Sequence, residues 1–418
     1  MYRSLNKPTA TPLAAWLLGA WIGAAAVTAA ASDSATEPGQ RPWVDGGSVG
    51  VSFRYRYEFV DDDAFADDAH ASTLRSRLWL QSGTHRDLAF LIEFEDVREL
   101  WVDDFNAGGG NTPGRTRYPV VADPEGTEVN QAYVDYLGVA DLRLRLGRQR
   151  ILLDEQRFVG GVGWRQNEQT YDALSATWER DGISVFYAAV ENVNRIFGDD
   201  VADGDHRQDP THLLHVSTAL TGIGTLSAYH LAIDNEDQPA FSTRTTGLRL
   251  QGSRAAAERT LSYLAEYATQ ADLADNPQSY RADYWHLRAG IGADDWTVDA
   301  GWEVLDGDAD RSGRAFRTPL ATLHAFNGWA DQFGTTPDAG LDDRYLKAAA
   351  TPGPWTLGVR AHRFRGADGG GRLGDELDLQ VGRRFADKVD VDVFAAVFDG
   401  ANGRADVTKL WLMLSVAF

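Results

Sequence analysis

The sequence predicts an all-β fold, a transmembrane antiparallel β-barrel of about 18 strands with long external loops and short periplasmic turns. Three observations carry this expectation. From residue 48 onward, runs of strict two-residue alternation are separated by turn chemistry. The connections between runs alternate between short and long. The chain also ends on an alternating segment, Lys409 to Phe418, that closes on an aromatic residue.

Side chains on a strand switch faces at every residue, so alternation reports two chemically different faces. Val49, Val51, Phe53, Tyr55, Tyr57 and Phe59 alternate with Gly50, Ser52, Arg54, Arg56 and Glu58. Leu74, Leu78 and Leu80 stand against Arg75, Arg77 and Gln81, and Leu142, Leu144 and Leu146 against Arg143 and Arg145. Similar runs start at Trp296 and Val389. Each is about 9–12 residues, enough for a tilted strand to cross the hydrocarbon layer. Short turns are expected at 83–86, 138–140, 180–182, 222–224 and 386–387, and long loops at 98–126, 193–210, 235–242, 306–342 and 399–405. A soluble sandwich or propeller is the competing architecture, but it rarely keeps one apolar and one charged face over so many consecutive strands.

The first residues read as an export signal. Arg3 and Lys7 precede an apolar stretch from Leu13 to Val27, and Ala29-Ala30-Ala31 offers a small-residue cleavage site before Ser32. The expected organisation is a signal peptide over 1–31, a periplasmic segment over 32–47 and a barrel over 48–418. No later segment has the run of about 18 apolar residues that a spanning helix requires. There is no cysteine, which removes thiol chemistry and disulfides. The net charge of −21 argues against a nucleic-acid partner. The expected location is the bacterial outer membrane. Outer-membrane lipid and lipopolysaccharide are expected partners; acidic loops such as Asp61-Asp62-Asp63 are read first as solvated, with a divalent-cation bridge to lipopolysaccharide the lesser reading, and the terminal Phe418 resembles a signal for the barrel-assembly machinery.

Assigning the polar side of each strand to the lumen gives a charge map. Arg54, Arg56, Arg75, Arg77, Arg143, Arg145, Arg249, Arg288, Lys347, Arg360, Arg384 and Lys409 point inward. So do about as many acids, among them Glu58, Glu93, Glu95, Asp135, Glu191, Glu303, Glu376 and Asp378. Closure places Lys409 of the last strand beside Arg54 and Arg56 of the first, with Arg75 and Arg77 on the second. These five form one basic wall expected to line the pore and attract anions, with Arg143 and Arg145 a few strands away. Arg75 and Arg77 also have Glu93 and Glu95 as cross-strand partners, and the two readings are compatible. No G-x-S-x-G, H-E-x-x-H or phosphate-loop motif appears, and the histidines show no metal spacing. No enzyme activity, cofactor or metal is expected.

Two stretches resemble the alginate export family of outer-membrane porins. The first runs Leu146-Gly147-Arg148-Gln149-Arg150, then Gln156-Arg157-Phe158-Val159-Gly160, Gly163-Trp164-Arg165-Gln166 and Thr170-Tyr171-Asp172. The second runs from Phe316 to Asp331 through Phe326-Asn327-Gly328-Trp329, and continues to Phe333, Pro337, Gly340 and Asp343. The resemblance implies passage of an anionic polysaccharide through an arginine-lined constriction, and the balance of inward acids and bases departs from that picture. Arg148 and Arg157 fall where the alternation breaks, which points to structural or pore-lining duty rather than lipid contact. The 306–342 loop is apolar and aromatic where the other loops are polar, so it is expected to fold into the pore or pack on its wall.

The expected function is a passive channel for anionic poly- or oligosaccharide, or for small organic anions. A general nutrient porin without anion preference is the alternative, and an enzyme or adhesin built on a barrel is a more distant one.

Overall fold

The computed structural model describes residues 46–386 and 388–418. The expected signal peptide, all but the last two residues of the 32–47 segment, and Asp387 of the 386–387 turn lie outside the described residues. Eighteen strands follow in order: β1 (Ser48–Asp62), β2 (Ala69–Gln81), β3 (Leu88–Asp104), β4 (Gly126–Val139), β5 (Leu142–Gln149), β6 (Thr170–Arg180), β7 (Ile183–Asn194), β8 (Asp205–Leu220), β9 (Gly224–Ile233), β10 (Thr243–Ala256), β11 (Arg259–Asp272), β12 (Arg281–Ala293), β13 (Trp296–Leu305), β14 (Leu341–Ala350), β15 (Trp355–Arg365), β16 (Arg372–Phe385), β17 (Val389–Gly400) and β18 (Val407–Ala417).

Every strand pairs antiparallel with its sequence neighbours, and β1 pairs with β18 in a register from Ser52↔Ala417 to Asp62↔Val407. The sheet is therefore a closed barrel with no free edge, as a hydrocarbon surround demands of backbone polar groups. No described helix is long and apolar enough to cross a membrane; the strands do the crossing.

Burial is inverted relative to a soluble protein. Leu146, Leu346, Val393 and Val298 are exposed on the outside, while Arg54, Arg56, Glu58, Arg75 and Glu95 are buried within. That inversion excludes a sandwich with a dry core, because lipid covers the apolar face.

Two strands extend beyond their expected limits. β3 runs to Asp104, so its loop is 105–125 rather than 98–126, and β8 begins at Asp205 rather than near 212. The segment added to β8, Asp205-His206-Arg207-Gln208-Asp209, is polar on both faces, and the one added to β3 has Leu100-Trp101-Val102 between Arg98-Glu99 and Asp103-Asp104 with no alternation. Above the hydrocarbon layer both faces of a strand meet water, so pairing continues after the hydrophobic period has stopped.

The 306–340 segment folds into the lumen. Phe316 packs at 5.5 Å from Tyr284 of β12, and Phe333 at 4.5 Å from Phe364 of β15. Trp329 lies edge-on to Phe394 of β17 at 5.4 Å. Inward aromatics near the external ends of the strands thus form an apolar lining, and the aromatic residues of the loop bury against it. An external loop would have exposed the same rings to water.

Candidate functional site

A second segment, 150–169 between β5 and β6, also turns inward and meets the first. Val159 and Leu320 form a parallel bridge, Gly160 N–H donates to the Leu320 carbonyl at 2.8 Å, and Thr322 N–H donates to the Gln156 carbonyl at 3.0 Å. The two family-like stretches are separated in sequence by more than a hundred residues, and here they interlock as one constriction across the barrel.

Each motif residue has a traceable job. Gly147 has φ +124°, and a Cβ there would lie 2.3 Å from the Ala132 carbonyl oxygen. Gln149 points inward, donating to the Ala173 carbonyl and accepting from Ser175 Oγ at 2.7 Å. Arg148 falls on the opposite face of β5, where it grips Asp172 of β6 at 2.8 Å and donates to the Val129 carbonyl of β4. Its duty is therefore structural and not pore-lining, because alternation continues past Gly147.

Arg157 donates to Glu303 Oε1 at 2.6 Å and to Asn327 Oδ1 at 2.9 Å, with its guanidinium 4.8 Å from the Phe326 ring. Asn327 in turn donates to Glu303 and Asp343. Gly328, at φ +88°, leaves no room for a side chain, since a Cβ would meet Glu376 Oε2 at 2.3 Å. Gly340 N–H donates to the Pro337 carbonyl at 2.8 Å and turns the chain back into β14.

The wall of β18, β1 and β2 lies beneath this constriction. Arg54, Arg56, Arg75, Arg77 and Lys409 are gathered there, and all are buried. Arg54 donates to Gln166 Oε1 at 2.9 Å and to the Gly163 and Arg165 carbonyls. Arg56 pairs with Glu58 at 2.7 Å and lies 4.5 Å from the Trp164 ring. Arg77 is held by Glu95 and, at 2.8 Å, by Glu168. Arg75 has Glu95 at 3.9 Å, and its Nε and Nη1 have no hydrogen-bond partner among the described residues. Trp164 stacks on His324 at 4.1 Å. Arg165 pairs with both Glu58 and Asp331 at 3.1 Å, and Lys409 reaches Asp331 at 2.9 Å.

The loop carboxylates respond to this setting. Burial alone would raise the Glu168 carboxyl, but Arg77 and Arg150 outweigh it and hold the group far below the usual range. Asp331 is likewise held well below its ordinary value against burial, by His324, Lys409 and Arg165. Burial pushes the His324 imidazole down to about 4 although Asp331 sits beside it. Apart from this wall, Arg145 is locked to Asp135 at 2.7 Å with its guanidinium 3.6 Å from the Tyr133 ring, while Arg143 is exposed.

On another wall, β12, β14 and β15 face a cavity of about 170 Å³ lined by Glu155, Arg288, Glu303, Phe326, Lys347 and Arg360, among others. Arg288 pairs with Glu155 at 2.8 Å. Lys347 and Arg360 are direct register partners, and neither makes an ion pair within 4.0 Å among the described residues. Their other lateral neighbours, Asp299 and Asp378, stay beyond that distance. Arg360 donates only to the Ala325 carbonyl, at 3.3 Å, and lies 4.8 Å from the Trp329 ring. The sequence placed these residues inward but gave them no part in an anion-attracting wall. The loop residues that reach this wall, Ala325, Phe326, Asn327 and Trp329, bring neither cation a carboxylate. Among the described residues no group of three or more His, Asp or Glu is arranged to hold a metal ion.

Comparison with solved structures finds the same barrel. The structure is similar to Acinetobacter baumannii OccAB4 (TM-score 0.70, 12% identity, covering 89% of this chain and 98% of that one). It is similar to Pseudomonas aeruginosa OccK9, or OpdG (TM-score 0.70, 15% identity, 90% and 100% covered). It is also similar to P. aeruginosa OpdK solved with vanillate (TM-score 0.71, 13% identity, 90% and 99% covered). At these identities the likeness shows the fold, an 18-stranded outer-membrane barrel of the porin type. No curated protein matches the chain. A family model described as alginate export matches residues 47–306, which takes in the first motif and stops short of the second. Family and fold are those of channels and not of enzymes. Matched over more than half its length, the chain belongs to the alginate export family.

Proposed function

We propose that the protein is a passive outer-membrane channel for small organic anions, carboxylates of about the size of one or two sugar acids. The observation that carries this reading is the pair Lys347 and Arg360. They sit side by side, face a cavity of about 170 Å³ and are not tied to a carboxylate. Fixed charges in a narrow space with low-dielectric walls are weakly screened, so an anion gains more from this pair than from equal charges on an open surface. Of the neighbouring acids, Glu303 is held by Arg157, Glu155 by Arg288 and Asp343 by His362 at 2.9 Å, while the lateral neighbours Asp299 and Asp378 offset part of the pair's charge from beyond ion-pair distance.

What supports a small solute is the crowding by the interlocked loops, beside which lie spaces of about 170, 130 and 430 Å³. These fit a small acid better than a continuous polysaccharide chain. Vanillate, with which the similar OpdK was solved, is a small carboxylate of this class. The wall of Arg54, Arg56, Arg75, Arg77 and Lys409 then acts chiefly as the seat of the constriction, with Arg75 its least satisfied member.

Planar-bilayer recordings test the proposal. The wild-type pore should prefer anions and be blocked by monomeric uronates, and Lys347→Gln with Arg360→Gln should move the reversal potential toward cations. A wild-type pore without anion preference, unchanged by the substitutions, would establish the general-porin alternative. Block by long polyuronate but not by monomers would restore the polysaccharide reading.

A further inference from the structure

The outward face carries a feature that passage through the lumen does not use. At the external ends of three consecutive strands, alternation places Arg344 of β14, Arg363 and Arg365 of β15, and Arg372 of β16 on the outside, and all four are exposed. Arg344 and Arg363 are direct register partners, as are Arg365 and Arg372. Neighbouring strands lie about 4.8 Å apart, so the four stems rise from one compact area.

Three of these guanidiniums are oriented by carboxylates. Arg344 pairs with Asp342 at 2.9 Å, Arg363 with Asp375 at 3.0 Å, and Arg372 with Asp375 at 3.1 Å and Asp399 at 2.5 Å. The Arg365 side chain makes no ion pair or hydrogen bond among the described residues. A groove of about 570 Å³ runs here, lined by Arg344, Leu346, Ala361, Arg363, Arg365 and Asp375. Directly toward the membrane, Leu346, Leu377 and Leu379 are exposed. Trp302 lies 5.8 Å beneath the Arg344 guanidinium, at the level where an aromatic belt meets headgroups. Four arginines against three aspartates leave a net positive charge centred on Arg365, and a positive surface above an apolar one is the profile of a site that meets an acidic headgroup with its acyl chains attached.

We infer that this patch binds the phosphorylated headgroup of an outer-leaflet glycolipid, with the arginines on its phosphates and an acyl chain along the groove. Planar guanidiniums suit phosphate because they donate two parallel hydrogen bonds, and the aspartates hold them in place beforehand. This contact differs from one at the acidic loops, which would need a divalent cation as a bridge. The arginine patch requires none, so its binding persists when divalent cations are removed. The inference rests on the outer-membrane location and is independent of which solute passes through the pore.

Native mass spectrometry of the detergent-purified barrel with EDTA present provides the test. Bisphosphorylated lipid A should bind at least about tenfold more tightly than its dephosphorylated form, the difference expected for one or two charge-assisted hydrogen bonds. Replacing Arg344, Arg363, Arg365 and Arg372 together with Gln should abolish that preference. Arg365→Gln alone breaks no ion pair, so it leaves the fold intact and should still weaken binding about threefold. Arg98→Gln, on β3 away from the patch, should bind as wild type, and millimolar inorganic phosphate should not displace the lipid. Equal binding of the two lipids, loss of binding in EDTA, or wild-type binding by the fourfold variant would overturn the inference. A barrel that conducts in bilayers yet shows no phosphate preference would refute this site while leaving the channel reading untouched.

Discussion

The wall of β18, β1 and β2 and the wall of β12, β14 and β15 are made from the same side chains at the same alternating spacing, yet they end in different states. On the first wall Arg54, Arg56 and Arg77 and Lys409 are covered by 150–169 and 306–340 and tied to Gln166, Glu58, Glu168 and Asp331. On the second, Lys347 and Arg360 face a cavity of about 170 Å³, and the loop offers Arg360 a carbonyl and a ring but neither cation an ion pair among the described residues. Inward orientation therefore does not make a charge available to a solute. What decides is whether a loop brings it a partner.

The largest test of that difference removes a carboxylate from the covered wall. Glu168→Ala takes one of two carboxylate partners from Arg77, which keeps Glu95, and from Arg150, which keeps Glu93, so the cost should stay below the about 3–5 kcal/mol of a fully broken buried pair. Urea titrations of folding into lipid vesicles should show that loss, with faster hydrogen exchange across 150–169. A cost below about 1 kcal/mol would mean that the loop is held by its other contacts and that the covered wall is no interlock.

How much of this was legible beforehand follows from the physics of each part. Strand number, closure and facing were readable because lipid on one side and water on the other impose a period of two. The inward 306–340 segment was readable too, since Phe316, Trp329 and Phe333 need apolar company. The inward 150–169 segment was not. Arg150, Asp154, Glu155, Arg157, Arg165 and Glu168 look like a solvated external loop, and their partners lie on other strands, such as Glu93 on β3 and Arg288 on β12. Only the isolated Trp164 hinted otherwise. Glu191 was expected inward but is exposed, because the regular alternation of β7 puts it on the outer face with Ile183 and Tyr187 while Ala188 and Val190 face in. The charge map thus placed nearly every side chain on the correct face and missed which of them were already spoken for.

A change of pH should loosen the covered wall and leave the open one in place. His324 titrates near 4 when the loop is docked, and an imidazole freed into water does so near 6.5. Between those values the undocked loop binds more protons, so docking weakens as pH falls, by roughly 3 kcal/mol in full. Asp331 acts in the same direction: its docked carboxyl is held well below the ordinary range, so its contribution is present above that range and is lost on further acidification. Single-channel recordings between pH 7 and about 4.5 should show growing gating noise as 306–340 detaches, and His324→Gln, which cannot be protonated, should suppress most of it. Noise that is unchanged by pH, or unchanged by the substitution, would remove His324 from the latch.

The smallest expected effect on stability is also the sharpest test of the comparison. Lys347 has a long flexible stem, faces a cavity and holds no ion-pair partner among the described residues, so Lys347→Gln should change folding stability by no more than about 0.5 kcal/mol. The same substitution at Arg56, which is enclosed between Glu58, Asp123 and the Trp164 ring, should cost several times as much. Selectivity should run in the opposite order. Removing the Lys347 charge takes away half of the unlocked pair and should shift the reversal potential toward cations. Removing the Arg56 charge should scarcely move it wherever the barrel still folds, because that position is fully buried beneath Trp164 and out of a solute's reach. Stability and selectivity would then separate cleanly between the two walls. If Arg56→Gln moves the reversal potential and Lys347→Gln does not, the covered wall is the one that solutes sense, and the open cavity is only space left between the loops.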